Sequence, residues 1–390
     1  MARVPETPLL RGSNGAELLA RARAQVPNLA ERAAAATEAR NIPDETIAEY
    51  RAAGILRVLQ PRRYGGFQQS FSVFVQIVET LTEGCASSAW VYAVLAELQW
   101  VIALLPEHGQ DDIWGNEPEA VAAGSLVPRA LARRCQDGWR ISGRYAFASG
   151  CMHAQWAIIG ARCEDAAGNE PLRYLMAPMG EIEIVDDWHA LGMRATGSRS
   201  LVFHDVFVPE HRSVSMRDVL DGTPPGRLVH PDYMLLRAPR YYLAPFALPA
   251  VAFALARKAL SLLPPSLRAR GTAPSDILHM QLGEAAAHIE TANLIVATRR
   301  DESVARLDAG NPIEEASVLR NRRDVTLAFQ LLKKGVDRLA AINGARTVYD
   351  GDKLQSALLD ITAISTHIIV NESAAMAPYG RWMMERAGLA

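Results

Sequence analysis

A change of texture along the chain restricts its fold more than any other feature. Residues 14–60 and 71–105 place apolar side chains at helical spacing, with Pro43-Asp44-Glu45-Thr46 reading as a helix start. From about Ala120 the pattern becomes short β-like runs, at 121–127, 139–142, 156–159, 173–176 and 201–208, separated by Gly-, Asp-Gly- or Asn-containing turns. A Pro224-Pro225-Gly226 linker follows, and helical spacing resumes near Pro245 and lasts to Arg386, with long amphipathic segments at 275–305 and 314–344. The expected class is α+β, in three parts: a helical domain over 1–119, a small antiparallel β-domain over 120–228, and a C-terminal four-helix bundle over 229–390. Two small-residue segments fall inside the β-region, Tyr145-Ala-Phe-Ala-Ser-Gly-Cys-Met-His-Ala-Gln-Trp156 and Leu191-Gly-Met-Arg-Ala-Thr-Gly-Ser198. Together they offer a backbone surface on which a flat cofactor could lie.

Composition removes several function classes. A net charge of −2 over 390 residues supplies no basic face, so a nucleic-acid partner is not expected. No uncharged apolar run reaches eighteen residues and the first thirty residues contain no apolar signal core, which points to a cytoplasmic protein without a membrane partner. The cysteines at 85, 135, 151 and 163 lack CxxC spacing, so reduced, partly buried thiols are expected. No GxGxxG turn supports a dinucleotide fold.

Five segments in this order carry a family resemblance: Ser87-Ser-Ala-Trp90, the stretch from Gly143 to Trp156, Gly192-Met-Arg-Ala-Thr-Gly-Ser198, Val206-Phe-Val-Pro-Glu210, and a late helix containing His367. Over nearly its whole length the chain resembles the acyl-CoA dehydrogenase superfamily, and within it the oxygenase components of two-component flavin-dependent monooxygenases that hydroxylate aromatics. The resemblance implies a homotetramer that takes reduced FMN or FAD from a separate NAD(P)H:flavin reductase. It would react with O2 as co-substrate through a C4a-hydroperoxyflavin and hydroxylate an aromatic or polycyclic small molecule. An acyl-CoA dehydrogenase-type FAD desaturase, with Glu372 as its base, and an N- or S-oxygenating relative remain alternatives.

The same resemblance distributes roles. Phe147, Ser149 and Gly150 would face the flavin, with the Ser149 hydroxyl as donor to N5; the family often has a second serine where Ala148 stands. Thr196 and Ser198 would add hydroxyls and amides, with Ala195 replacing a common glycine. Arg270 and Gln281, or Arg268 in a shifted register, would hold flavin phosphates, and Gly344 would belong to a turn that closes over a neighbouring subunit's flavin. His367 would act as acid or base, since imidazole moves protons near neutrality. Trp90, Tyr92 and Gln99 would line the substrate pocket, Gln99 standing in for a histidine expected where this chain has Leu98. Each residue also has a plain structural reading: a turn serine, a solvated arginine, a core histidine, core aromatics. His153 reads as a packing residue near the site. His204 and His211 sit too far apart along an extended segment to make a metal site, and none is expected.

Overall fold

The computed structural model describes residues 14–164 and 171–389. Residues 1–13, part of the stretch that lacks a signal core, lie outside the described residues. Helices α1 (Gly15–Ala39), α2 (Asp44–Ala52), α3 (Phe71–Thr82), α4 (Ala86–Ala103) and α5 (Glu107–Trp114) form the first layer. A seven-stranded sheet follows, β1 (Ala122–Cys135), β2 (Gly138–Ala148), β3 (Trp156–Glu164), β4 (Leu172–Pro178), β5 (Glu183–Val185), β6 (Arg199–Pro209) and β7 (Ser213–Ser215). The short helices α6 (Met216–Asp221), α7 (Gly226–Val229) and α8 (Arg240–Leu243) lead to α9 (Pro249–Ala269), α10 (Asp276–Asp308), α11 (Glu315–Asn343), α12 (Lys353–Ser365) and α13 (Glu372–Arg386).

Local sequence explains the ends of these helices. Ser275 caps α10 by accepting from Leu278 N at 3.2 Å, and Asp352 caps α12 by accepting from Leu354 N and Gln355 N at 2.9 and 3.1 Å. Helix α4 is apolar on all sides and almost every residue of it is buried, so it runs through the protein's core. The helical stretches Ala86–Ala103 and Arg240–Ala269 are apolar and long enough to cross a bilayer, yet 100% and 67% of their apolar windows are buried in this fold. All four cysteines are free, and burial pushes the Cys151 thiol up to about 11.

The sheet corrects one expectation. Strand order is β5-β6-β2-β1-β3-β4-β7, and β1 pairs with β3 in parallel, so the sheet is mixed rather than wholly antiparallel. The chain leaves β2 through a 3-10 turn at Cys151–His153 and crosses to the far side of β1, where β3 must run in the direction of β1. Run lengths and turn residues predict strands but carry no information on which edge the next strand joins. This crossover matters functionally, because it folds the Tyr145–Trp156 segment against the start of β6.

Candidate active site

Two turns meet at the junction of β2, β3 and β6. Gly150 N donates to Thr196 O at 3.0 Å, which fastens the turn after β2 to the turn before β6. The apposition stacks three buried hydroxyls: Ser149 Oγ lies 2.7 Å from Ser198 Oγ, which lies 2.6 Å from Thr196 Oγ1. Thr196 Oγ1 donates onward to Met193 O at 2.8 Å. At the other end Trp90, on α4, donates its indole N–H to Ser149 Oγ at 3.1 Å. The His367 ring stands edge-on to Trp90, with centroids 5.6 Å apart. The fold therefore gathers Trp90, Ser149, Thr196, Ser198 and His367 from four distant parts of the sequence.

The backbone here is forced. Phe147 and Met193 adopt left-handed φ values of 71° and 54°, joined by Gly150 at 70° and Gly197 at 53°. Each non-glycine residue of this kind costs on the order of 1–2 kcal/mol, and such strain gathers at functional sites. Only glycine fits at 150, where a Cβ would sit 2.8 Å from Val91 Cγ1 in addition to the left-handed φ. Next to this polar core the chain exposes large apolar side chains: Phe147 at 58%, Leu191 at 65% and Ile368 at 49%. Phe147 meets the Trp188 ring edge-on at 6.2 Å. A strained turn, a short polar row and an apolar rim fit a flat, largely apolar ring system with polar atoms on one edge, as the flavin isoalloxazine has.

His367 closes this region from the turn just beyond α12. It caps the 3-10 turn Ile368–Val370, its Nδ1 accepting from Ile369 N at 3.3 Å. Burial lowers its pKa from 6.5 to about 4. The ring is therefore neutral at physiological pH with its proton on Nε2. Because the folded value is depressed, the unfolded chain binds the extra proton: stability from this group is complete above pH 6.5 and disappears as pH falls towards 4. That interval corresponds to about 3 kcal/mol. Urea midpoints of wild type and His367→Gln, compared from pH 4 to 7, should show the wild type losing stability on acidification by that extra amount; parallel curves would refute the assignment.

Helix α12 brings a second half-buried group that the sequence did not single out. Asp360 Oδ1 accepts from Met193 N at 2.5 Å, and a Cβ on Gly192 would sit 2.1 Å from Leu359 O. Burial raises the Asp360 carboxyl to about 6. No periodicity marks an acidic residue whose partner is a backbone N–H 167 positions away.

Other expected site residues lie elsewhere. Tyr92 is fully buried, packs edge-on to Tyr50 at 5.7 Å, and donates to Ile55 O at 3.3 Å. Gln99 is also fully buried: its amide donates to Ala120 O at 3.1 Å and its oxygen accepts from Trp114 Nε1 at 3.2 Å. Both are core residues of an all-round buried helix, which corrects their expected place in the substrate pocket; Trp90 alone of the three faces the site. Leu98 is buried, and neighbouring Glu97 forms a buried ion pair with Arg240 at 2.8 Å. Glu372 is exposed in the first turn of α13.

Arg270 donates to Asn343 Oδ1 at 3.1 Å, and Asn343 Nδ2 donates to Asp352 Oδ1 at 3.3 Å. Gly344 follows Asn343 with a left-handed φ of 68°, and Gln281 lies half-buried on α10. This cluster sits at the start of α12 and His367 just beyond its end, so about 20 Å of helix separates them within one chain. His153 binds Asp44 Oδ1 and Ile42 O, both at 3.1 Å, and clamps α2 rather than facing the hydroxyls. His204 pairs with Glu183 at 2.8 Å. His211 joins His108 and Asp112 in the one group with metal-ligand geometry among the described residues, but Arg212 Nε already occupies the same Asp112 oxygen at 2.6 Å.

Comparison with known proteins fits this geometry. Residues 16–114 match the acyl-CoA dehydrogenase N-terminal domain and residues 249–372 its C-terminal domain. The chain is 31% identical over 363 residues, 89% of each protein, to the oxygenase component of FADH(2)-dependent resorcinol hydroxylase from Rhizobium sp. (strain MTP-10005). Its structure resembles that of 3-HSA hydroxylase from Rhodococcus sp. RHA1 with a TM-score of 0.90 and 28% identity, covering 96% of this chain and 97% of that one. XiaF from Streptomyces sp., solved in complex with FADH2 and glycerol, gives a TM-score of 0.85 at 26% identity and 96% coverage of both chains. This chain thus belongs to the acyl-CoA dehydrogenase family, among the oxygenase components of flavin-dependent hydroxylases.

Proposed function

We propose that this protein is the oxygenase component of a two-component flavin-dependent monooxygenase, and that the Ser149 hydroxyl row beside His367 is its reaction site. Reduced flavin, when bound, supplies the electrons that activate O2 and the oxygen atom that is transferred. The protein's part is to hold that ring on the Phe147–Gly150 turn, with Ser149 at its polar edge and Phe147, Leu191 and Ile368 keeping water from its faces. Trp90 fixes Ser149 and forms one wall for an aromatic substrate. His367, neutral and carrying its proton on Nε2, donates a hydrogen bond to oxygen at the reacting centre. This narrows its expected acid-or-base role to that of a hydrogen-bond donor: the nitrogen that could accept a proton is engaged by Ile369 N, and a neutral ring that gave up its Nε2 proton would be left as imidazolate.

The observation that carries the proposal is that Trp90 joins the buried hydroxyl row, through its indole N–H on Ser149, to the ring of His367, while Glu372, the carboxylate a desaturase would need, is exposed. The 20 Å between His367 and the Arg270–Asn343–Gly344 cluster favours a flavin phosphate site completed by another subunit, consistent with a homotetramer. A separate flavin reductase supplies the reduced cofactor, FMN or FAD. The test is anaerobic loading with reduced flavin, then mixing with 18O2 and a panel of phenols and polycyclic aromatics. One labelled oxygen atom per product molecule is expected. Reduction of bound flavin by an acyl-CoA, with no labelled product from any aromatic, would overturn the proposal.

A further inference from the structure

Three side chains converge where α5 meets the 3-10 turn Glu210–Arg212 that follows β6. His108 and Asp112 stand four residues apart on α5, so both project from one face of that helix. The turn is pressed against the helix at Gly109, where a Cβ would sit 2.1 Å from His211 O. Only glycine permits so close an approach, and it fixes where His211 stands relative to the other two. The His108 and His211 rings are stacked, with centroids 3.9 Å apart and planes inclined by 12°. Their Nε2 atoms both address Asp112: that of His211 lies 2.8 Å from Oδ2, and that of His108 lies 3.8 Å from Oδ1. One ligand atom from each of the three residues lies within 4.8 Å of the others.

The two oxygens of Asp112 have different duties. Arg212 Nε donates to Oδ2 at 2.6 Å while its guanidinium lies 5.1 Å over the Trp156 ring, so the carboxylate is held from behind. Oδ1 is the oxygen turned to His108, at a distance too long for a hydrogen bond. Two imidazoles and one carboxylate oxygen suit a borderline-soft divalent ion such as Zn2+, whereas Mg2+ and Ca2+ call for more oxygen ligands. We propose that His108, His211 and Asp112 Oδ1 form a Zn2+ site that clips the N-terminal helical layer to the β-sheet. Bonds of about 2.0–2.2 Å place tetrahedral donors roughly 3.3 Å apart, so the three ligands must draw together. His108 supplies that movement, because its side chain is 72% exposed. His211 exchanges its contact with Oδ2 for the ion, and each ring then carries its hydrogen on Nδ1. The positive charge of Arg212 is offset by α5, which holds Glu107 and Asp111 besides Asp112 and no lysine or arginine. Water fills the position that three protein ligands leave open. The sequence gave no sign of the site, since His211 finds its partner Asp112 at a distance of 99 positions instead of along its own strand.

The test is titration of chelator-treated protein with Zn2+, followed by calorimetry and by the thermal unfolding midpoint. One ion per chain should bind, and saturating Zn2+ should raise the midpoint by at least about 2 °C, because an ion held only by the folded clip stabilises it by mass action. His108→Ala should weaken binding at least about tenfold and abolish the rise. Its side chain is exposed, so this variant should fold like the wild type. Asp112→Asn, which keeps an oxygen on the same spot and loses the charge, should weaken binding by a similar factor. Mg2+ should not compete for the site. Cys135→Ser removes a partly exposed thiol that could capture Zn2+ by itself, and should leave affinity and midpoint rise unchanged. Equal affinity in wild type and His108→Ala, or affinity lost in Cys135→Ser, would locate the ion elsewhere and overturn the inference. So would a wild-type midpoint that Zn2+ leaves unmoved or lowers. The flavin site takes no part in these measurements, so failure here leaves the proposed function standing.

Discussion

His367→Ala is expected to lower coupled oxygen transfer by a factor of about 10² to 10³, the range lost when one positioned hydrogen-bond donor is removed, while flavin affinity stays within a few-fold of wild type. The separation follows from geometry. His367 touches Trp90 and caps a turn after α12, whereas the row assigned to the flavin edge is Ser149, Ser198 and Thr196. Without the Nε2 proton, activated oxygen escapes as H2O2, so oxygen uptake should continue while product falls. His367→Gln keeps an N–H donor of similar reach and should recover part of the product. The measurement is product formed and H2O2 released per O2 consumed. Coupled turnover by His367→Ala at the wild-type rate would remove this residue from the chemistry.

Most of the fold was legible because periodicity records which side of an element is buried. Segments 275–305 and 314–344 became α10 and α11. What stayed hidden was partnership. The parallel pairing of β1 with β3 depends on which edge of a strand the chain returns to, and nothing in the run of residues encodes that choice. At the site, the Ser149 and Thr196-Gly-Ser198 segments could be singled out for their small and hydroxylated residues. Their contact with one another and with Trp90 could be found only from the fold. Counting from Trp90 to Gln99 led into the core, and the aromatic character of Tyr92 did too, because on a helix buried almost throughout, spacing does not separate core positions from pocket positions. Asp360 was invisible for another reason: a single acid on a half-buried helix looks solvated until its backbone partner, Met193, is known.

Loss of the Glu97 carboxylate should be the most damaging single change to stability, at about 3–5 kcal/mol for Glu97→Ala. Glu97 and Arg240 pair at 2.8 Å with side chains only 5% and 7% exposed, and the guanidinium lies 4.9 Å above the Trp100 ring. Burial raises the Glu97 pKa although Arg240 opposes it, so desolvation outweighs attraction for this acid. The pair is therefore costly to bury, and its removal as a whole should be mild. Removing one partner is severe because the other charge remains in a dry interior without an opposite charge to meet it. A double-mutant cycle in urea separates the two effects: Glu97→Met and Arg240→Met should each be strongly destabilising, and the double variant should recover most of the loss. Single variants within about 1 kcal/mol of wild type would mean that water reaches the pair. The same cycle bears on substrate binding. Glu97 lies beside the position where a phenol-anchoring histidine was expected, and its role in joining α4 to α8 predicts that Glu97→Met alters folding midpoints without changing KM in the folded fraction.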